Sequence, residues 1–153
     1  MSAFVDKGGY WVLAQNLIMV CALGAAPICH GRSWHWSLLT IGAVLLIIGA
    51  AFGIAGVRAL GRNLTPFPKP RADSQLVQSG VYRLVRHPLY SCLIFGTLGW
   101  ALLWSSAATI AVAVLLAVVL DAKSRREERW LRGRYPEYES YAARVRRLIP
   151  GVY

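Results

Sequence analysis

Three stretches without Asp, Glu, Lys or Arg dominate the pattern of polar and apolar positions. They cover residues 10–29, 36–57 and 89–120. Each reaches the roughly 20 residues that a helix needs to cross a bilayer. As one helix the third would extend about 48 Å, against a hydrocarbon core of about 30 Å. We therefore expect a break at Trp104-Ser105-Ser106 and a hairpin with short arms, residues 89–104 and 107–120.

This pattern predicts an all-α integral membrane protein with about four transmembrane helices in a single membrane domain, residues 1–153. The first stretch is interpreted as a retained helix, because Ala25-Ala26-Pro27 is a poor signal-peptide cleavage site. Residues 61–80 hold three prolines and two glycines, so a loop over 61–88 is expected. Amphipathic C-terminal helices are expected over 121–149, interrupted at Pro136, with a second apolar stripe formed by Tyr138, Tyr141, Val145 and Leu148.

The net charge of +10 comes from 17 Lys and Arg against 7 Asp and Glu, and it is unevenly distributed. Basic residues concentrate in the 58–88 segment and after residue 120, while Arg32 stands alone on the other side. The positive-inside rule then places both termini and the loop in the cytoplasm. The charge indicates attraction to a lipid bilayer, and no nucleic-acid module accompanies it. The sequence does not indicate an oligomeric state.

The stretch GVYRLVRHPLY, residues 80–90, stands where the loop meets the third apolar run. Pro88 suits the first turn of a helix, and it restricts His87 to a non-helical conformation. Free amide groups of that first turn are expected to face an anionic group. Past the fourth span, Lys123 and Glu127 share a helix face, and Glu128 points sideways within reach of Arg125 and Arg132.

Each of these residues taken alone has a structural explanation, such as a helix start or charge neutralisation. Together they predict a cytoplasmic-facing cluster of a helix N-terminus, acids and aromatic rings. Such a cluster suits a ligand with a carboxylate, a cation and a flat ring. S-adenosyl-L-methionine has these groups, and a nicotinamide nucleotide also fits the basic loop. No metal site is expected, because Cys29, His30 and His35 match no standard zinc spacing.

From about residue 60 onward, the chain resembles the isoprenylcysteine carboxyl methyltransferase and phospholipid methyltransferase superfamily of membrane enzymes. The segments LVQSGVYRLVRHPLY, EERWL and RYPEYESYAARVRRLIP carry the resemblance. It implies methyl transfer from S-adenosyl-L-methionine to a hydrophobic, membrane-associated acceptor. It also implies a cofactor site made of Ser74, Gln75, Leu76, Val77, Tyr82, His87, Pro88, Leu89, Tyr90 and Glu127.

Two positions depart from the isoprenylcysteine enzymes. Lys123 stands where those enzymes have an arginine that contacts the substrate, and Ser74 stands where they tend to have a histidine. The resemblance therefore leaves the acceptor open among a carboxylate, a phospholipid amine and a small thiol. An amine or thiol needs a base, for which His87 and Glu128 are candidates.

Two alternatives belong to other classes of protein. Sterol-reductase-like NADPH enzymes share a similar C-terminal half, but they usually have more spans and an asparagine where this chain has Leu89. A non-enzymatic membrane protein with a lipid-binding basic tail would explain the charge. It would not explain the order of the three motifs.

Overall fold

The computed structural model describes residues 2–31, 35–70 and 73–153, so Arg32 lies outside the described residues. The described chain contains no β-strand. Its six α-helices are α1 (Ser2–Asp6), α2 (Gly9–Ile28), α3 (Trp36–Leu60), α4 (Pro88–Leu103), α5 (Ala107–Arg134) and α6 (Tyr138–Arg144). Two short 3-10 turns, Gly61–Asn63 and Gly80–Arg83, interrupt the long loop.

Three of these helices, α2, α3 and α5, are long and apolar enough to cross a membrane. Their best windows have mean hydropathies of 1.7, 2.5 and 1.9. Helix α4 is equally apolar in character but has only 16 residues. Many large apolar side chains of α2 and α3 are exposed, as expected of surfaces that face lipid. The prediction of an all-α membrane fold is confirmed, and the protein is a multi-pass membrane protein.

The hairpin between α4 and α5 turns at the predicted serines. Ser105 adopts a positive φ of 48°, and the Ser106 hydroxyl accepts a hydrogen bond from the Thr109 amide at 3.3 Å. A serine at this position caps the first turn of a helix by accepting one of its unpaired amides. Helix α5 then runs without interruption for 28 residues, past the apolar stretch that ends at Leu120.

Helices α3 and α4 pack closely because glycines remove the side chains between them. A Cβ atom built on Gly42 would lie 2.8 Å from the carbonyl oxygen of Gly99, and one on Gly99 would lie 2.6 Å from that of Gly42. Two helical turns further along, a Cβ built on Gly49 would lie 3.0 Å from the Cys92 carbonyl oxygen. This is the backbone-to-backbone contact that small residues permit in membrane helices.

The N-terminal segment, the loop and the C-terminal segment meet at one end of the helix bundle. The Phe4 and Phe67 rings pack edge to face, 5.8 Å apart. Val85 and Arg146 form a parallel bridge, and the Arg86 amide donates to the Arg146 carbonyl at 2.8 Å. The residues after Arg144 form this pairing and do not continue the C-terminal helix, which was predicted to extend to residue 149. Helix α6 stops at Arg144 because the following residues run extended beside the start of α4.

A fully buried carboxylate, that of Glu128, fixes this end of the bundle. The Arg86 and Arg147 Nε atoms each lie 3.0 Å from Glu128 Oε1. Arg86 also donates to the carbonyl oxygens of Ala142 and Val145. The pair of arginines therefore ties the residue before α4 and the C-terminal segment to α5. Arg86 is therefore a largely buried structural partner of Glu128.

Replacing Gly99 with alanine should destabilise the α3–α4 contact, because the new methyl group would collide with the Gly42 carbonyl. We expect a loss of about 1–3 kcal/mol, typical of overpacking. Gly96→Ala is the matched control, since a Cβ there meets nothing within 4 Å. Thermal unfolding in detergent measures both variants. Equal midpoints would contradict the packing argument.

Glu128→Gln should lower the free energy of unfolding by about 3 kcal/mol, because two guanidinium groups lose their buried counter-charge. The comparison is Glu139→Gln, whose carboxylate is exposed and pairs with Arg132 at 3.0 Å. That exposed pair should contribute less than about 1 kcal/mol. Denaturant titration of both variants tests the difference, and similar losses would refute the role given to Glu128.

Candidate functional site

A cavity lies between the start of α4, the loop, α5 and α6. It has a volume of about 110 Å³ and is open to solvent at its mouth. Nine of the ten residues that the resemblance assigned to a cofactor line it: Ser74, Gln75, Leu76, Val77, Tyr82, His87, Leu89, Tyr90 and Glu127. Ligand pockets in proteins commonly have volumes of about 300–1,000 Å³. The cavity is smaller than this range, so a nucleoside-sized ligand would also occupy its open mouth.

The tenth assigned residue, Pro88, is buried beside α3 and does not line the cavity. A Cβ on Gly56 would lie 3.3 Å from its ring. Pro88 begins α4 and so sets the direction of its neighbours His87 and Leu89. Of the first-turn amides, that of Tyr90 donates to the His87 carbonyl at 3.0 Å, so it is not an open donor.

The acidic side of the cavity is built from three side chains. The Tyr90 hydroxyl donates to Glu127 Oε2 at 2.7 Å. The His87 and Tyr90 rings stack in parallel with centroids 5.2 Å apart. His87 Nδ1 lies 3.7 Å from Glu127, and its Nε2 lies 3.2 Å from Glu128. The imidazole therefore bridges the two adjacent acids, and Glu127 presents a fixed carboxylate at the cavity wall.

Glu128 itself points away from the cavity, into the arginine cluster. It lies within 3.6 Å of Arg132, as the sequence predicted. The predicted contact with Arg125 is wrong, because Arg125 pairs with Asp121 at 2.8 Å. The buried position of Glu128, with no exposed surface, removes it from contact with a ligand.

Three tyrosines complete the wall, and their contribution to a pocket was not anticipated from sequence. The Tyr135 hydroxyl donates to the Ser74 carbonyl, and the Tyr141 hydroxyl donates to the Tyr82 carbonyl, both at 2.7 Å. Both bonds fix the loop against the C-terminal helices. The buried Tyr138 hydroxyl has no hydrogen-bond partner among the described residues. It is an available donor at the cavity wall.

Burial raises the pKa of Tyr82, Tyr138 and Tyr141 well above the usual range for a phenol. At neutral pH these hydroxyls are therefore protonated. They can donate hydrogen bonds to an anionic or carbonyl group, and their rings offer flat apolar faces. The spacing of Tyr138 and Tyr141 had indicated only an apolar stripe.

Lys123 lies outside the cavity lining, behind Tyr90. Its Nζ donates to Gln15 Oε1 at 2.7 Å and to the Pro66 carbonyl at 3.2 Å, and it stands 5.0 Å from the Tyr90 ring centroid. It is almost fully buried, and among the described residues no acid lies within ion-pair distance of it. Gln15, a polar residue within the first span, had not been singled out from sequence.

Within the described ranges, no three His, Cys, Asp or Glu side chains are grouped so that they could hold a metal ion. The three cysteines of the chain are free.

Comparisons with known proteins give a consistent assignment. A family model described as "Phospholipid methyltransferase" matches residues 37–138. The chain is 32% identical over 148 residues to the "Probable protein-S-isoprenylcysteine O-methyltransferase" of Oryza sativa subsp. indica, covering 93% of this chain and 76% of the relative. It is 30% identical over 149 residues to "Protein-S-isoprenylcysteine O-methyltransferase B" of Arabidopsis thaliana, covering 94% and 75%.

Another relative has a different name. The chain is 41% identical over 144 residues to the "Cobalt-zinc-cadmium resistance protein CzcN" of Cupriavidus metallidurans. The match covers 93% of this chain and 62% of that relative, so the chain spans less than two thirds of its length. The family match covers more than half of the chain and includes the loop, Glu127 and most of the cavity wall. The chain belongs to the phospholipid methyltransferase family of integral membrane methyltransferases.

Proposed function

We propose that the protein transfers a methyl group from S-adenosyl-L-methionine to a hydrophobic acceptor that carries a carboxylate. The proposal rests on one observation. Nine residues that the resemblance assigns to the cofactor line the same cavity. Segments far apart in sequence, the loop at 74–77, the start of α4 and Glu127 of α5, contribute to it. Family membership supports methyl transfer over the NADPH-dependent alternative.

The cavity residues fit the chemical groups of this methyl donor. The Glu127 carboxylate would pair with its ammonium group. The rings of Tyr82, Tyr90 and Tyr138 would face its sulfonium and its adenine base. The unpartnered Tyr138 hydroxyl is available to donate to its polar groups. When bound, the donor supplies an electrophilic methyl carbon, so the protein's part is to orient the reactants and exclude water.

The absence of an available base among the assigned residues favours an acceptor that is already ionised. Both His87 nitrogens face carboxylates, and Glu128 is occupied by arginines. Glu127 would be occupied by the ammonium of the methyl donor, so it would not be available to take a proton from the acceptor. Deprotonation of a phospholipid amine is therefore not supported. A carboxylate reacts without losing a proton.

Lys123 is our candidate to bind that carboxylate. It is a buried ammonium whose hydrogen-bond partners, Gln15 and Pro66, are both neutral oxygens. Burying an unpaired charge is unfavourable, so an anionic acceptor group nearby would stabilise it. Gln15 lies on α2, which would let the first span contribute to acceptor binding. The acceptor would then approach from the bilayer, next to α2 and α5.

We also propose which side of the membrane the termini and the cavity face. The N-terminal segment, the loop and the C-terminal segment lie at the same end of the bundle, where the cavity is found. The basic residues of the loop and C-terminal segment favour the cytoplasm for that end. Both termini and the active site would therefore face the cytoplasm, where the soluble methyl donor is available.

Glu127→Gln should weaken binding of S-adenosylhomocysteine about tenfold or more, because a charge-assisted hydrogen bond to its ammonium is lost. Calorimetric titration of detergent-purified protein measures this, with Glu137→Gln as a control of equal charge change at an exposed position. NADPH is titrated in parallel and should not bind. Binding of NADPH alone would instead support the reductase alternative.

Lys123→Met should raise the KM for an S-alkyl-N-acetylcysteine acceptor about tenfold, because the carboxylate loses its counter-charge. Lys123→Arg keeps the charge and should retain most of the affinity. Initial-rate kinetics of both variants, with binding of S-adenosylhomocysteine as the control, separate acceptor binding from donor binding. A carboxamide analogue that inhibits the wild type as strongly as the carboxylate would exclude this role of Lys123.

A further inference from the structure

A second concave site lies on the molecule, apart from the cavity described above. It is a groove between the turn that joins α1 to α2, the loop at Lys69, and the polar part of α5. Its side chains include Asp6, Tyr10, Lys69, Arg126 and Trp130. None of these residues lines the larger cavity. The groove therefore needs an explanation independent of methyl transfer.

Arg126 is the most informative residue of the groove. Its guanidinium lies over the Trp130 ring, 4.7 Å from the centroid. Its Nε atom is buried and has no hydrogen-bond partner in the part of the chain that the structure describes. Stacking on an indole holds a guanidinium in a fixed orientation while leaving its in-plane donors available. A buried donor without an acceptor is unfavourable, so a ligand that supplies one would be stabilised here.

The other two charged residues of the groove are also available. Across residues 2–31, 35–70 and 73–153, no ion pair joins Asp6 or Lys69 to another side chain. Both residues are exposed. The groove thus offers two cations and one carboxylate, all with unused capacity. A ligand that complements them carries an anion and a cation within one small group.

The lengths of the apolar stretches place the groove at about the outer edge of the lipid headgroups. Tyr10 is the second residue of the α2 span, and Arg126 follows the end of the apolar stretch at Leu120 by six residues. Six helical residues extend about 9 Å. The headgroup region adds roughly 5–8 Å on each side of the hydrocarbon core. Tyrosine and tryptophan are enriched at this boundary.

We infer that this groove binds the headgroup of a zwitterionic phospholipid that carries a primary ammonium. Arg126 and Lys69 bind the phosphate, and Asp6 binds the ammonium. Tyr10 and Trp130 pack against the glycerol and the first carbons of the acyl chains. A headgroup without an ammonium would leave the Asp6 carboxylate near the phosphate with no cation of the lipid to pair with it. The zwitterion is therefore preferred.

Native mass spectrometry of detergent-purified protein tests this assignment. The probes are phosphatidylethanolamine and phosphatidylglycerol with the same acyl chains, and soluble glycerophosphoethanolamine. We expect phosphatidylethanolamine to bind best. Arg126→Gln should weaken its binding about tenfold, the effect of losing one charge-assisted contact to phosphate. Asp6→Asn should abolish the preference over phosphatidylglycerol.

Arg129→Gln is the matched control, since Arg129 is an exposed arginine on the same helix that does not line the groove. It should leave phosphatidylethanolamine binding unchanged. Equal losses in Arg126→Gln and Arg129→Gln would overturn the proposal in favour of general surface attraction. Equal affinity for both lipids in the wild type would also overturn it. So would binding of glycerophosphoethanolamine as tight as that of the lipid, because the ligand would then be a soluble phosphodiester.

Discussion

The arrangement of the cavity depends on one buried charge, the Glu128 carboxylate. Arg86 and Arg147 neutralise it, and His87 donates to it, so segments before α4, within α5 and near the C-terminus meet at one point. A carboxylate without exposed surface is stable only with such partners. The same contact orients His87, whose other nitrogen faces Glu127. Glu128 thus fixes the orientation of His87, which in turn contacts Glu127 at the cavity wall.

Charge in this protein is arranged by depth. The interface between α3 and α4 contains no charge and relies on glycine contacts between backbones. At the end of the bundle, buried carboxylates and guanidiniums replace apolar packing. Beyond them, tyrosine hydroxyls bond carbonyl groups of the loop. Such a gradient places a polar cavity directly beside the apolar helices.

Adjacent acids in the sequence acquire opposite roles in the structure. Glu127 is partly exposed and accepts the Tyr90 hydroxyl at the cavity wall, whereas Glu128 is fully buried among arginines. Consecutive positions on a helix are about 100° apart, so they face different surroundings. The resemblance had assigned the first acid to the cofactor. The structural role of Glu128 is evident only from the arginines that surround it in the structure.

The sequence by itself determined the membrane helices, because uninterrupted apolar stretches of sufficient length have few other stable conformations. It also determined the hairpin at Ser105-Ser106 and the loop, from serine, proline and glycine positions. Motif resemblance further identified nine of the residues that line the cavity, although these residues are dispersed in sequence.

Only the tertiary structure decided the contacts between distant segments. The pairing of residues 85–87 with 146–147 ended the C-terminal helix at Arg144, which local amphipathicity had extended to residue 149. No local sequence pattern indicated the contact between Gln15 and Lys123, which are 108 positions apart. The same is true of the groove around Arg126. Helix periodicity records which face of a segment is apolar. It does not record which polar groups from other segments will meet it, because that depends on how the helices pack.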